Sequence, residues 1–140
     1  MKILAIFTCY NRRELTKRSI ETLAENKDVQ FDFVVVDDAS TDGTVEMLKE
    51  QPFSIDIVEG SGSLFWNGGM HKAIEYAKEK YPNYEYYMLM NDDTRFFTGI
   101  FDEILPKLKK DTVLVGALCN DEGELSYGGV KYNRGIKYDK

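Results

Sequence analysis

Two pairs of adjacent carboxylates, Asp37-Asp38 and Asp92-Asp93, each follow a short apolar run. Neighbouring aspartates repel one another, so such pairs are costly unless a cation or a donor-rich ligand lies among them. A hard divalent ion held by one or two carboxylates is one such cation, and Asp92-Asp93 suit it. The competing use is as helix caps, for which the same residue types serve. Two further polar or glycine-rich segments also end apolar runs: Thr8-Cys9-Tyr10-Asn11-Arg12 and Glu59-Gly60-Ser61-Gly62. His71 is the only histidine and falls within a helical pattern, where a solvated or partly packed position competes with one near a ligand.

Several familiar sites are excluded by their spacing. Asp38-Ala39-Ser40-Thr41-Asp42-Gly43 opens like a calcium loop, yet the twelfth position is Lys49, where a bidentate carboxylate is required. No Gly-x-Gly-x-x-Gly follows the first apolar run, and no Gly-Lys-Ser/Thr opens a helix.

Elements able to position these residues follow from the apolar pattern, which alternates short continuous runs with helical spacing. Strands are expected over Lys2 to Cys9, Phe31 to Val36, Ser54 to Val58, Tyr84 to Met90 and Thr112 to Cys119. Helices are expected over Glu14 to Glu25, with Leu15, Ile20, Leu23 and Ala24 inward, and over Thr44 to Glu50 behind the capping types Ser40, Thr41 and Asp42. A third helix follows Gly68-Gly69 with Met70, Ala73, Ile74 and Ala77 on one face, and a fourth over Thr98 to Lys109 should be kinked or divided by Pro106. Asp121-Glu122-Gly123-Glu124 reads as a turn. The implied fold is α/β, an open, mainly parallel twisted sheet with helices on both faces, whose ligands sit beyond the carboxyl ends of the strands. With no linker or repeat, residues 1–140 read as one domain.

Composition agrees with such a domain, since 43% of the 140 residues are hydrophobic and 30% are charged. A net charge of -6 argues against nucleic acid as a partner, because that binding draws on Lys and Arg, and it means that a polyphosphate ligand needs a cation. No apolar run approaches the roughly 20 residues of a membrane span, and the start lacks the pattern of a signal peptide. Cys9 and Cys119 lie in apolar runs and read as inert core thiols, which favours a reducing, cytoplasmic setting.

Taken together, Ile6-Phe7-Thr8-Cys9-Tyr10-Asn11-Arg12, Val34-Val35-Val36-Asp37-Asp38-Ala39-Ser40-Thr41-Asp42-Gly43-Thr44 and Met90-Asn91-Asp92-Asp93-Thr94 resemble the three hallmark blocks of family 2 glycosyltransferases, in order and in spacing. Leu64-Phe65-Trp66-Asn67-Gly68-Gly69-Met70 resembles the Trp-x-Gly-Gly segment of rhamnosyltransferase-like members. The resemblance implies a GT-A fold and an inverting transfer of sugar from a UDP- or dTDP-sugar to a saccharide or lipid-linked acceptor in cell-surface polysaccharide synthesis. It also leaves room for homo-oligomers and for peripheral attachment of a longer enzyme to the inner face of the membrane.

By the same resemblance, Thr8, Tyr10, Asn11, Arg12, Asp38 and Asp92 belong to the nucleotide site, with Asp38 accepting the N3–H of a uracil or thymine ring. Asp93, joined by Asp92, would hold Mn²⁺ or Mg²⁺ as in the Asp-x-Asp motif. Trp66, Asn67, Gly68 and Gly69 would face the sugar and phosphates, the two glycines permitting close approach and the helix after them offering free N–H groups. No general base is assignable among Asp111, Asp121, Glu122 and Glu124. The acceptor half, begun at most by Tyr127-Gly128-Gly129-Val130, is expected beyond Lys140. Two alternatives are a nucleotide-sugar-binding fragment without transfer and, with less support, a nucleotidyltransferase, which would show a glycine-rich basic loop where Asn11-Arg12-Arg13 stands.

Overall fold

The computed structural model describes residues 1–109, 113–116, 118–120, 124–127, 130–132 and 136–138. Its chain forms two units, Met1–Phe101 and Asp102–Lys140. The first runs β1 (Lys2–Cys9), α1 (Arg13–Ala24), β2 (Gln30–Asp37), α2 (Thr44–Lys49), β3 (Ile55–Glu59), α3 (Phe65–Lys80) and β4 (Tyr86–Leu89).

All four strands are parallel, in the order β3-β2-β1-β4. Residues Ile3 to Cys9 of β1 are all buried, as expected of a strand covered on both faces. Side chains alternate across the pleat. Leu4, Ile6, Val34 and Val36 therefore share one face, where they cluster with Ala73 and Ala77 of α3. The opposite face presents Phe7, Phe31 and Phe33, whose rings meet one another and those of Phe53 and Phe101. Right-handed crossovers put α1 and α2 on that second face, so helices cover both sides.

α1 buries Thr16, Ser19, Ile20 and Leu23. Leu15, expected inward, is 45% exposed. Thr16 and Ser19 take the inward position instead, and the Ser19 hydroxyl is within reach of the Asn91 carbonyl at 3.5 Å. α3 begins at Phe65, three residues before the Gly68-Gly69 start expected, and buries Met70, Ala73 and Ala77. His71 is an exposed residue of that helix.

Pro106 divides the fourth helix as expected, leaving α4 (Ile100–Ile104) followed by a single 3-10 turn, Leu105–Lys107. In the second unit β5 (Leu118–Cys119) pairs antiparallel with β6 (Leu125–Tyr127), and β7 (Val130–Tyr132) pairs antiparallel with β8 (Ile136–Tyr138). The expected fifth strand is thus corrected: Val113 and Val115 are 87% and 82% exposed, and Leu118–Cys119 belongs to a separate two-stranded ladder. Cys119, expected to be a core thiol, is exposed, whereas Cys9 is buried. Asp111, Asp121, Glu122, Gly123, Gly128 and Gly129 lie outside the described residues. Asn120 and Glu124, on either side of the expected turn, do bond to each other.

Candidate functional site

The strand order fixes where a ligand can enter. From β1 the chain moves outward through β2 to β3 and then returns to place β4 on the other side of β1. The order therefore reverses between β1 and β4, and in open α/β sheets the crevice beyond the strand ends at such a point is the ligand site. Thr8 to Arg12 leave the end of β1 there, and Asn91 to Asp93 follow β4.

Asp92 Oδ1 and Asp93 Oδ2 converge on one guanidinium nitrogen, Arg12 Nη1, at 3.2 and 3.0 Å. Asp92 is 7% exposed. Burial pushes its carboxyl up from the ordinary carboxylate value, against the attraction of Arg12 and with the repulsion of Asp93. Two hard oxygens aimed at a single cationic point suit a divalent ion. No cluster of three or more His, Cys, Asp or Glu side chains forms among the described residues. Further ligands for Mn²⁺ or Mg²⁺ would then come from diphosphate and water.

Asp38 is engaged differently. It is 5% exposed and its carboxylate accepts three backbone N–H groups, from Gly62 to Oδ1 at 2.7 Å and from Leu64 and Phe65 to Oδ2 at 2.8 and 3.2 Å. A residue from the end of β2 thus satisfies donors at and just before the start of α3, which has no side-chain cap of its own. A side chain on Gly60 would come within 2.5 Å of Asp38 Oδ1, so the loop can pass over the carboxylate only with glycine there. Asp37 accepts the Ser40 N–H at 3.0 Å and the Cys9 thiol at 3.7 Å. Burial, then the negative charges of Asp37 and Asp92, push the Cys9 thiol upward, so it stays protonated.

Thr8 and the glycines at the start of α3 are engaged within the fold. The Thr8 hydroxyl donates to the Val36 carbonyl at 3.0 Å, and a side chain on Gly69 would overlap Thr8. Gly69 is buried and lets α3 lie close against β1, so its freedom serves helix–sheet packing rather than approach to a ligand. The Gly68 N–H donates to Leu64 within the helix and is not free.

Trp66 and Asn67 are exposed on the first turn of α3, and the Trp66 indole N–H donates to Asn91 Oδ1 at 2.9 Å. Asn91 therefore ties the aromatic residue to the acidic loop, a role its place before the aspartates did not signal. Tyr10 is 54% exposed at the same rim. Asn11 bridges the loops after β1 and β2, donating its N–H to Ser40 Oγ at 2.9 Å and accepting the Thr41 N–H at 2.7 Å. Asp42 joins the two loops from the other side. It accepts the N–H groups of Arg13 and Thr44 and so holds the starts of α1 and α2, and chiefly the Thr44 hydroxyl draws its carboxyl below the ordinary value.

Asn11 and Ala39, in the loops of this rim, and Phe65, the first residue of α3, have φ of 50, 64 and 52°. For Ala39 and Phe65 that conformation costs roughly 1–2 kcal/mol each. Such strain persists where surrounding bonds fix the backbone, and it gathers at functional sites.

The sequence model of glycosyl transferase family 2 matches residues 5–137 of the chain. The chain belongs to glycosyl transferase family 2. Two solved structures share the GT-A fold of its sheet and helices. Against the mannosyltransferase PcManGT from Pyrobaculum calidifontis, solved with GDP-Man and Mn²⁺, identity is 19% and the TM-score 0.50, over 68% of this chain and 28% of that one. Against residues 1–349 of S. aureus TarS, identity is 21% and the TM-score 0.59, over 76% and 32%. The family 2 chain described here thus spans about a third or less of either protein. None of the curated proteins compared matches it. No helix among the described residues is long and apolar enough to cross a membrane.

Proposed function

We propose that residues 1–140 form the donor-binding portion of an inverting, metal-assisted glycosyltransferase that uses a nucleoside diphosphate sugar, with UDP- or dTDP-sugars as the donors and a saccharide or lipid-linked acceptor. The convergence of Asp92 and Asp93 on one cationic point, at the place where strand order reverses, carries this reading. Asp93, with Asp92, would hold Mn²⁺ or Mg²⁺. Bound there, the ion acts as a Lewis acid that neutralises the departing diphosphate.

The nucleobase lies between the Thr8 to Asn11 segment and the Gly60 to Leu64 loop. Asp38 holds that loop in place and retains lone-pair capacity on Oδ1 for a ring N–H, since each carboxylate oxygen accepts about two bonds. Tyr10 offers the base an aromatic face. Trp66, fixed by Asn91, walls the sugar side with Asn67, in keeping with the rhamnosyltransferase-like segment. Work on a cell-surface polysaccharide at the cytoplasmic face of the membrane is the setting such a donor and acceptor suit.

The test is calorimetry of UDP, dTDP and GDP with and without Mn²⁺, on the wild type and Asp38→Ala. Uridine or thymidine diphosphate should bind only with Mn²⁺, and Asp38→Ala should weaken binding by roughly 1.5–3 kcal/mol, the scale of a hydrogen bond to a charged group. Equal affinity in excess chelator would remove the metal role from Asp92 and Asp93. Preference for GDP would overturn the choice of base.

A further inference from the structure

We infer that Arg12 is the resident counter-cation of the metal site, displaced when metal and diphosphate arrive, and that this displacement makes the two ligands bind cooperatively. The inference rests on the proposed metal and diphosphate site and concerns how that site is filled. One nitrogen of Arg12 already occupies the point on which Asp92 Oδ1 and Asp93 Oδ2 converge, at 3.2 and 3.0 Å. A divalent ion bound by the same two oxygens would meet a like charge in contact with it, which neither tolerates. Arg12 must therefore leave before the ion is seated.

It has room to do so. Its side chain is 48% exposed, and it stands between the end of β1 and the first turn of α1. Once free, a planar guanidinium fork at this rim is matched to diphosphate oxygens, which it can engage through two N–H groups at once. Metal and nucleotide thus favour the same displaced state of Arg12. Each then tightens the other by an equal factor, as linkage requires. Arg13 provides the internal control, because it carries the same charge one residue away and pairs with Glu14 at 3.1 Å instead of the acidic loop.

The experiment measures Mn²⁺ binding by the electron paramagnetic resonance of free Mn²⁺, without nucleotide and with saturating UDP, in the wild type, Arg12→Met, Arg12→Lys and Arg13→Met. Without nucleotide, Arg12→Met should bind Mn²⁺ about three- to tenfold more tightly than the wild type, as expected from removing two partly exposed ion pairs. The factor by which UDP tightens Mn²⁺ binding should fall in that variant. Arg12→Lys should retain most of the wild-type behaviour, and Arg13→Met should match the wild type. If UDP supports Mn²⁺ binding in the wild type while Arg12→Met binds the ion no more tightly alone, Arg12 is not the counter-cation and only this inference fails. An equal gain in Arg13→Met would overturn it too, in favour of a general charge effect. If no variant binds Mn²⁺ even with nucleotide, the metal site itself is wrong and this inference falls with it.

Discussion

The two ends of the parallel sheet treat their carboxylates in opposite ways. Where the strands begin, each aspartate has partners of its own. Asp32 accepts from Lys2 at 2.9 Å and from the Tyr84 hydroxyl at 2.5 Å, and Asp56 accepts from Lys80 at 2.8 Å and from the Tyr81 hydroxyl at 2.7 Å. Where the strands finish, Asp92 and Asp93 share one nitrogen of Arg12, while Asp37 and Asp38 are bonded to backbone N–H groups and a thiol rather than to any cationic side chain. The first arrangement is closed and serves the fold. The second is short of positive charge, which is the condition a site for a cation and an anionic ligand requires.

Substitution at each end should separate these roles most strongly. Asp93→Asn should weaken Mn²⁺-supported nucleotide binding at least tenfold, about 1.4 kcal/mol, and leave stability within about 0.5 kcal/mol because the side chain is 46% exposed. Asp32→Ala should do the reverse, lowering stability by about 1–3 kcal/mol through loss of charged hydrogen bonds with nucleotide affinity unchanged. Urea unfolding and calorimetry on both variants check the crossing. If Asp32→Ala weakened the nucleotide as much as Asp93→Asn, the division of labour between the ends would be wrong.

A smaller effect, of opposite sign at the two ends, appears in the pH dependence of stability. Burial would raise Asp56, but its bonds from Lys80 and Tyr81 outweigh that and hold its carboxyl below the ordinary value. Its stabilising contribution is present above the unfolded value of about 3.9 and is lost as pH falls through the lower folded value. Asp92 is shifted upward, chiefly by burial, so the folded chain keeps its proton longer than the unfolded chain, and stability declines as pH rises between the two values. Melting curves across the acid range should therefore show Asp56→Asn losing ground to the wild type as pH rises and Asp92→Asn gaining it. The same direction in both variants would contradict the contrast.

Much of the sheet was legible from sequence because β1 and β2 are buried on both faces and read as unbroken apolar runs. The acidic loop after β4 was legible for the opposite reason, since adjacent aspartates at a strand end are hard to explain without a ligand. The start of α3 was not. Gly68-Gly69 looks like a helix entrance, but the donors of the true first turn are satisfied by Asp38, more than twenty residues earlier, and no local pattern records a cap supplied from another strand. The use of Gly69 against Thr8 was hidden likewise, because a glycine needed for packing looks the same as one needed by a ligand. Val113 to Val115 misled because an apolar run carries no sign of whether anything covers it.

On the proposed function, the rim after β1 and β4 receives the ion while the far end of the same strands takes no part. With β1 eight residues long, the two ends lie about 23 Å apart at the usual rise per residue, and paramagnetic broadening by Mn²⁺ falls steeply with distance. Amide spectra of the nitrogen-15-labelled chain, recorded with UDP and substoichiometric Mn²⁺, measure both ends at once. Signals of Arg12 and of Asn91 to Thr94 should vanish first, and those of Lys2 and its register partner Gln30, where β1 and β2 begin, should persist. Broadening centred on Lys2 and Gln30, or spread evenly over the chain, would contradict the assignment.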